Sequence, residues 1–232
     1  MNITIKKRLG ILLTMLLSLL SSAFVSCSKA ESDIDDRNSN SVYYSCPNDY
    51  HPHLIDLGLP SGTKWACCNV GASWPGDNGG YYAWGETEAK KNYNSSTYLD
   101  GKGATYNIGS NISGTDYDVA HVKWGGSWVM PDIAQWKELS TCCTEEWTTL
   151  NGVTGRFFYG AKGSKIFLPA AGVYSIYDVL IGESSNGNYW SSTLYESYPK
   201  DAFSLYFNKS GISSSAHDDR IHGLSVRPVA KN

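Results

Sequence analysis

The sequence predicts a β-rich fold with few helices, and three observations carry that reading. Aromatic residues are abundant, with 8 Trp and 16 Tyr beside 23 Gly; this mixture suits short strands, tight turns and loops better than helical bundles, where Ala, Leu, Glu and Lys dominate. Asn151-Gly152 stands between a Trp/Thr run and a Phe/Tyr run, a strong hairpin signal because both residues tolerate positive φ. A single stretch, "PDIAQWKEL", carries a helix start followed by helical spacing. The 232 residues are 41% hydrophobic and 18% charged with a net charge of -3, which fits one ordinary globular domain and predicts no nucleic-acid partner.

Residues 1–26 read as a lipoprotein signal peptide. Lys6, Lys7 and Arg8 form a basic cap on the apolar run "LGILLTMLLSLLSSAFV", a little short for a comfortable membrane span. The following "FVSC" resembles the bacterial lipobox, with Phe24 where Leu is usual. That resemblance makes Cys27 the acylated first residue of the mature chain, anchored in membrane lipid by several acyl chains together. The alternatives are ordinary signal cleavage with Cys27 incidental, or an uncleaved anchor. Residues 27–52 are expected to be a disordered tether, since "SKAESDIDDRNSNS" offers almost nothing to bury. Its acidic cluster resembles the surface-export signals of Bacteroides-type lipoproteins, while a solvated linker would have the same composition. The expected location is the bacterial outer membrane, lipid-anchored, with display on the cell surface and a periplasmic orientation both open.

Residues 53–232 form the expected domain. "HLIDLGLPSGTKWACCNVGA" reads as strand, turn, strand, and alternation puts Ala66, Cys68 and Val70 on one face. Residues 73–117 show no sustained period and read as a long decorated loop, the first candidate recognition region. In "WGGSWVMPDIAQWKEL", Asp132 is the expected N-cap, with Gln135 completing a capping box. Trp136, Leu139 and Cys143 then fall on one stripe. Trp65, Trp124, Trp128, Trp136 and Trp190 are assigned to the core, since large aromatics dominate burial. "KIFLPAAG", "NYWSSTLYE", "DAFSLYFN" and "LSVRPV" supply further strands. An exported chain meets oxidising conditions, so Cys68 and Cys143, each on an apolar face, are expected to form a disulfide.

Taken in order, "IDLGLPSGTKWACCNVGA", "AWGE", "AHVKWGGSWVMPDIAQWKEL", "IFLPAAG", "YWSST" and "LSVRPV" look like the Fibrobacter succinogenes major paralogous domain family, over nearly everything from residue 53 onward. "MPDIAQW" is more distantly similar to formylglycine-generating-enzyme-like domains. The resemblance implies an α+β, C-type-lectin-like fold of short twisted antiparallel strands, few helices and long loops. It also implies that the first and last strands pair, bringing the strand near Leu57 beside Leu224 to Val229. In that fold the loops between the C-terminal strands form the recognition face, here running through Tyr174, Tyr177, Asp178, Glu183, Tyr195, Tyr198, Asp218, Asp219 and Arg220. Tyrosine suits the task, offering a flat apolar ring with a polar tip. The alternative is that these tyrosines only cover a small core.

No catalytic set is legible. Formylglycine-generating enzymes depend on cysteines in their C-terminal half, and this chain has none after Cys143. There is no Walker loop, nucleophile elbow, EF-hand loop or H-E-x-x-H helix. His51 and His53 with Cys46 match no strong zinc pattern. "HDDRIH", residues 217 to 222, offers two carboxylates between two imidazoles, or else a solvated turn, so no metal or other cofactor is expected. Two function classes remain: a non-catalytic surface module binding a glycan or a surface protein, and a divergent hydrolase or oxidase acting on surface polymers. A structural envelope component is the third option. A cleft in which Asp, Glu and His converge with perturbed pKa values favours an enzyme; an aromatic shelf without them favours a binder.

Overall fold

A computed structural model describes residues 54–161 and 163–230. Cys27, the acidic tether and the histidines at 51 and 53 lie outside the described residues. The described chain is mostly antiparallel strand with two α-helices: β1 (Leu54–Asp56), β2 (Lys64–Ala66), α1 (Val119–Trp124), β3 (Trp128–Val129), α2 (Ile133–Cys142), β4 (Thr144–Leu150), β5 (Val153–Tyr159), β6 (Lys165–Pro169), β7 (Val173–Tyr174), β8 (Leu180–Ile181), β9 (Asn186–Leu194), β10 (Asp201–Asn208), β11 (Gly211–Asp219) and β12 (Val229–Ala230). This agrees with an α+β, strand-dominated class.

Turn chemistry sets the best-read hairpin. Asn151 and Gly152 both adopt positive φ, 49° and 86°, so β4 and β5 meet with Leu150 opposite Val153 and the two-residue loop matches strand twist. β6 completes that three-stranded sheet, and β9, β10 and β11 form a second. The first and last strands meet differently from expectation. β12 pairs with β2, Val229 opposite Trp65, whereas β1 pairs with β2 alone among the named strands. The chain leaves β1 after Asp56, so Leu57 enters the core instead of a ladder. The sheet order is β1-β2-β12-β3, and β12 closes the β1–β2 hairpin on its β2 side.

α2 begins as its sequence requires. Asp132 Oδ1 accepts the Gln135 N–H at 2.9 Å, and Gln135 Oε1 accepts the Asp132 N–H at 2.9 Å, satisfying two of the donors that a helix start leaves open. Trp136 and Leu139 point inward, and Cys143 at the C-cap is equally buried. Trp136 packs on Trp65, ring centroids 4.7 Å apart, and edge-on to Tyr189, which stacks on Phe207. Burying one such side chain removes about 200 Å² from water, on the order of 5 kcal/mol as an upper bound at about 25 cal/mol per Å². Trp65, Trp128, Trp136 and Trp190 are core residues as expected, but Trp124 is only half-buried, edge-on to Trp128 at 5.5 Å.

Two segments depart from the sequence reading. Residues 73–117 are no mere decoration: Tyr82, Trp84, Tyr93 and Tyr98 are all buried. Three of these rings, Trp84, Tyr93 and Tyr98, are admitted because their polar ends meet backbone carbonyls. Trp84 Nε1 donates to Ser191 O, Tyr93 Oη to Tyr81 O and Tyr98 Oη to Trp84 O. The second departure is β11, "GISSSAHDD", where serines conceal a strand. β10 supplies its ladder and α2 packs against it, so context overrides weak propensity.

The expected disulfide is not formed. β2 ends at Ala66, so the face alternation that placed Cys68 with Val70 stops before either residue. No bond joins Cys68 to Cys143; the Cys68 sulfur instead lies 3.3 Å from Cys67 Sγ. Cys143 packs in the largest core cluster with Leu139 and Phe158.

Candidate functional site

Three loops converge on an open cleft of about 330 Å³. The first is "SWPGDNGG", residues 73–80. Asp77 organises it from within: Oδ2 accepts the Ser73 N–H and hydroxyl at 3.1 and 3.2 Å, and Oδ1 accepts the Gly79 N–H at 3.2 Å, an Asx-type turn. Gly76 is dictated by Trp74, since a Cβ there would lie 2.2 Å from the indole ring. Gly79 is dictated twice, by φ of +70° and by a Cβ position 2.5 Å from Val70 O. The indole of Trp74 is thereby seated against Gly76, half-buried on Leu150, Phe157 and Phe167.

The second loop follows β8. Gly182 and Ser184 turn the chain with φ of 76° and 63°, and the Ser184 N–H is held by Ala170 O at 2.8 Å. Between them Glu183 Oε1 accepts from Asn78 Nδ2 at 2.8 Å. The backbone oxygen of Asn78 is occupied as well, by Asn69 Nδ2 at 2.9 Å and Ser225 Oγ at 3.1 Å. The third wall is the β4–β5 hairpin turn at Gly152 and Val153, with Ala170 also lining the cleft. The lining therefore joins one indole to a side-chain amide, two carboxylates and a hydroxyl.

Of the nine residues assigned to recognition, only Glu183 lines this cleft. Tyr174 is half-buried, stacked on Tyr93 at 5.4 Å and edge-on to Tyr81 at 4.9 Å. Its backbone bridges to Gly223, so its role is cover for a core. Tyr177 and Asp178 are both exposed, and Asp178 Oδ1 accepts the Tyr93 N–H at 2.6 Å. Tyr195 stacks on His217 at 4.2 Å, and Tyr198 is exposed. Arg220 is a clear correction. It is 1% exposed, its Nε donating to Tyr98 Oη, Nη1 to Pro199 O and Nη2 to Tyr106 O at 3.0, 3.2 and 2.9 Å. The guanidinium lies 4.7 Å from the Trp84 ring centre. It ties the buried loop to the β10–β11 end and offers nothing to a ligand.

Within "HDDRIH" one carboxylate and one imidazole pair, while His217 pairs with Asp201 on β10. His222 Nδ1 meets Asp218 Oδ1 at 2.5 Å, and His217 Nδ1 meets Asp201 Oδ2 at 2.6 Å. Burial opposes charge on His222, but the Asp218 hydrogen bond and charge, with Asp219 and Asp201 behind it, outweigh burial and raise its pKa above the ordinary imidazole value. Burial raises the pKa of Asp219, because for a carboxylate it is the ionised form that burial disfavours. Among the described residues no group of three or more His, Cys, Asp or Glu side chains is placed to hold a metal ion. None of these pairs lines this cleft, and neither does Asp219.

The residues that sequence reasoning did not single out are Trp74, Asp77 and Asn78. Their signal was present: a tryptophan outside the six matching segments, followed by Pro-Gly-Asp-Asn-Gly-Gly turn chemistry. No family model, curated protein or solved structure matches the chain.

Proposed function

We propose that this chain is a non-catalytic binding module of the bacterial envelope, held to the outer membrane through acylated Cys27, which takes a glycan in the cleft between residues 73–80, the Gly152 turn and Glu183. Its likeness to the major paralogous domain family, and to C-type-lectin-like folds generally, belongs to the same proposal. One observation carries the reading: a half-buried indole beside polar groups that are themselves fixed by hydrogen bonds. A sugar presents an apolar C–H face and a rim of hydroxyls, and an aromatic ring with a few placed polar groups complements both. The separation of this cleft from the Asp–His pairs supports binding over hydrolysis.

A second reading rests on a different surface. Ile176, Tyr177, Val179 and Ile181 are exposed on and beside the β7–β8 turn; the one acidic side chain among them, Asp178, is exposed too and accepts the Tyr93 N–H through Oδ1. Such an apolar cluster suits a protein partner. The test is a combined glycan and protein array probed with the soluble fragment from residue 42 onward. Glycan hits lost in Trp74→Ala support the cleft. Protein hits lost in an Ile176, Tyr177 and Val179 to Ser variant support the second reading, and hits unaffected by both variants overturn both.

A further inference from the structure

We infer that the cleft favours glycans that are neutral or carry a free amine over those bearing carboxylate, sulfate or phosphate; this rests on the proposed glycan reading and names its ligand class. The charge inventory comes first. Asp77 and Glu183 line the cleft, and among the described residues no Lys, Arg or His does. An anionic sugar entering it meets two like charges and no counter-charge.

The hydrogen-bond inventory points the same way. Both oxygens of Asp77 already accept from Ser73 and Gly79, so this group acts on a ligand as fixed negative charge. Asn78 spends one amide N–H on Glu183 Oε1, and its backbone oxygen is used by Asn69 and Ser225. That contact leaves Asn78 Oδ1 and Glu183 Oε2 as the acceptors of the pair, and the Ser184 hydroxyl also lines the cleft. Ligand hydroxyls can donate to both acceptors. An ammonium group donates to both and adds opposite charge, giving charge-assisted bonds. A sugar carboxylate or sulfate only accepts; it can take the Ser184 hydroxyl but gives these two oxygens no donor while displacing their water.

Glu183 is exposed, so screening sets the size of the effect. An exposed ion pair contributes roughly 0.2–1 kcal/mol, equivalent to about a 1.5- to fivefold change in affinity, and it weakens as salt rises.

The experiment uses a glycan array containing amine-bearing, N-acetylated, unsubstituted and uronate or sulfated oligosaccharides, probed with the soluble fragment at low and high salt. Parent, Glu183→Gln and Trp74→Ala are compared, with thermal unfolding as a check on folding. The expected result is weaker binding of the uronate and sulfated classes than of the neutral and amine-bearing ones, with an amine advantage of about 1.5- to fivefold at low salt that shrinks at high salt and disappears in Glu183→Gln. Binding of acidic glycans equal to or above that of neutral ones, or an amine advantage unchanged by both salt and Glu183→Gln, overturns the inference while leaving the cleft reading intact. Absence of any glycan binding, or binding unchanged in Trp74→Ala, overturns both. The salt comparison on the parent decides the charge question even where a variant fails to fold.

Discussion

Asn78 Nδ2 donates to Glu183 Oε1 at 2.8 Å across a separation of 105 residues. That contact is the seam between the turn after β2 and the turn after β8, and it orients the polar side of the cleft. Asn78→Asp removes the donor and sets a second carboxylate against the first, so like charges replace a hydrogen bond. The expected cost is about 1 kcal/mol of stability, measured by urea unfolding, with a larger loss of ligand affinity. Glu183→Gln keeps an acceptor for Asn78 and is expected to leave stability within about 0.5 kcal/mol.

Gly76→Ala tests the indole seat. The backbone at Gly76 permits a side chain in conformation, but a Cβ would lie 2.2 Å from the Trp74 ring, so the ring must move. Because the ring is only half-buried, the expected loss of stability is under about 1 kcal/mol. Glycan binding is expected to fall as far as it does in Trp74→Ala. Trp fluorescence reports the altered seating, and unshifted emission with full binding would show that the ring keeps its place.

The elements legible in the sequence were those with local chemistry. Asn151-Gly152 and the Asp132/Gln135 capping box act within a few residues, and both formed as read. The missed features depend on partners far along the chain. β11 is a strand because β10 and α2 flank it, although Ser213, Ser214 and Ser215 offer no alternation. Cys68 was placed by extending a strand past Ala66, where β2 ends. The cleft is divided among residues 74–78, 152–153, 170 and 183–184, and nothing local says that these meet. The aromatic loop was legible as unusual, but its tyrosines were legible as buried only once the carbonyls that receive their hydroxyls were placed.

His222 makes stability depend on pH in a defined direction. Its folded pKa is raised above 6.5 because Asp218, with Asp219 and Asp201, outweighs the effect of burial. Protonated His222 therefore favours the folded state. This contribution is fully present below about pH 6.5 and is lost as pH rises through the folded pKa. Asp219, raised by burial, has the same sign in the carboxylate range: its contribution falls as pH rises through its own folded value. Thermal midpoints are expected to decline as pH rises above about 6.5, with His222→Gln flattening that part of the profile. NMR titration of the imidazole that gave a value below 6.5 would contradict the assignment.

Arg220 separates a structural role from a binding role. Its guanidinium is 1% exposed and donates to Tyr98 Oη, Pro199 O and Tyr106 O, while Trp84 covers it at 4.7 Å. Truncation to Ala leaves two carbonyls and a tyrosine hydroxyl without this donor and opens a cavity beside Trp84. The Tyr98 contact is buried and the two carbonyl contacts part-buried, so at about 1 kcal/mol per lost hydrogen bond the expected destabilisation is roughly 3 kcal/mol, read from the shift in denaturant midpoint. Arg220→Lys keeps the charge but cannot span three acceptors with one planar fork, and an intermediate loss is expected. Tyr177→Ser is the matched control from the same sequence-based recognition set: 78% exposed, it is expected to change stability by less than about 0.5 kcal/mol. If Arg220→Ala were as mild as Tyr177→Ser, the arginine would not be the tie between the buried loop and the β10–β11 end.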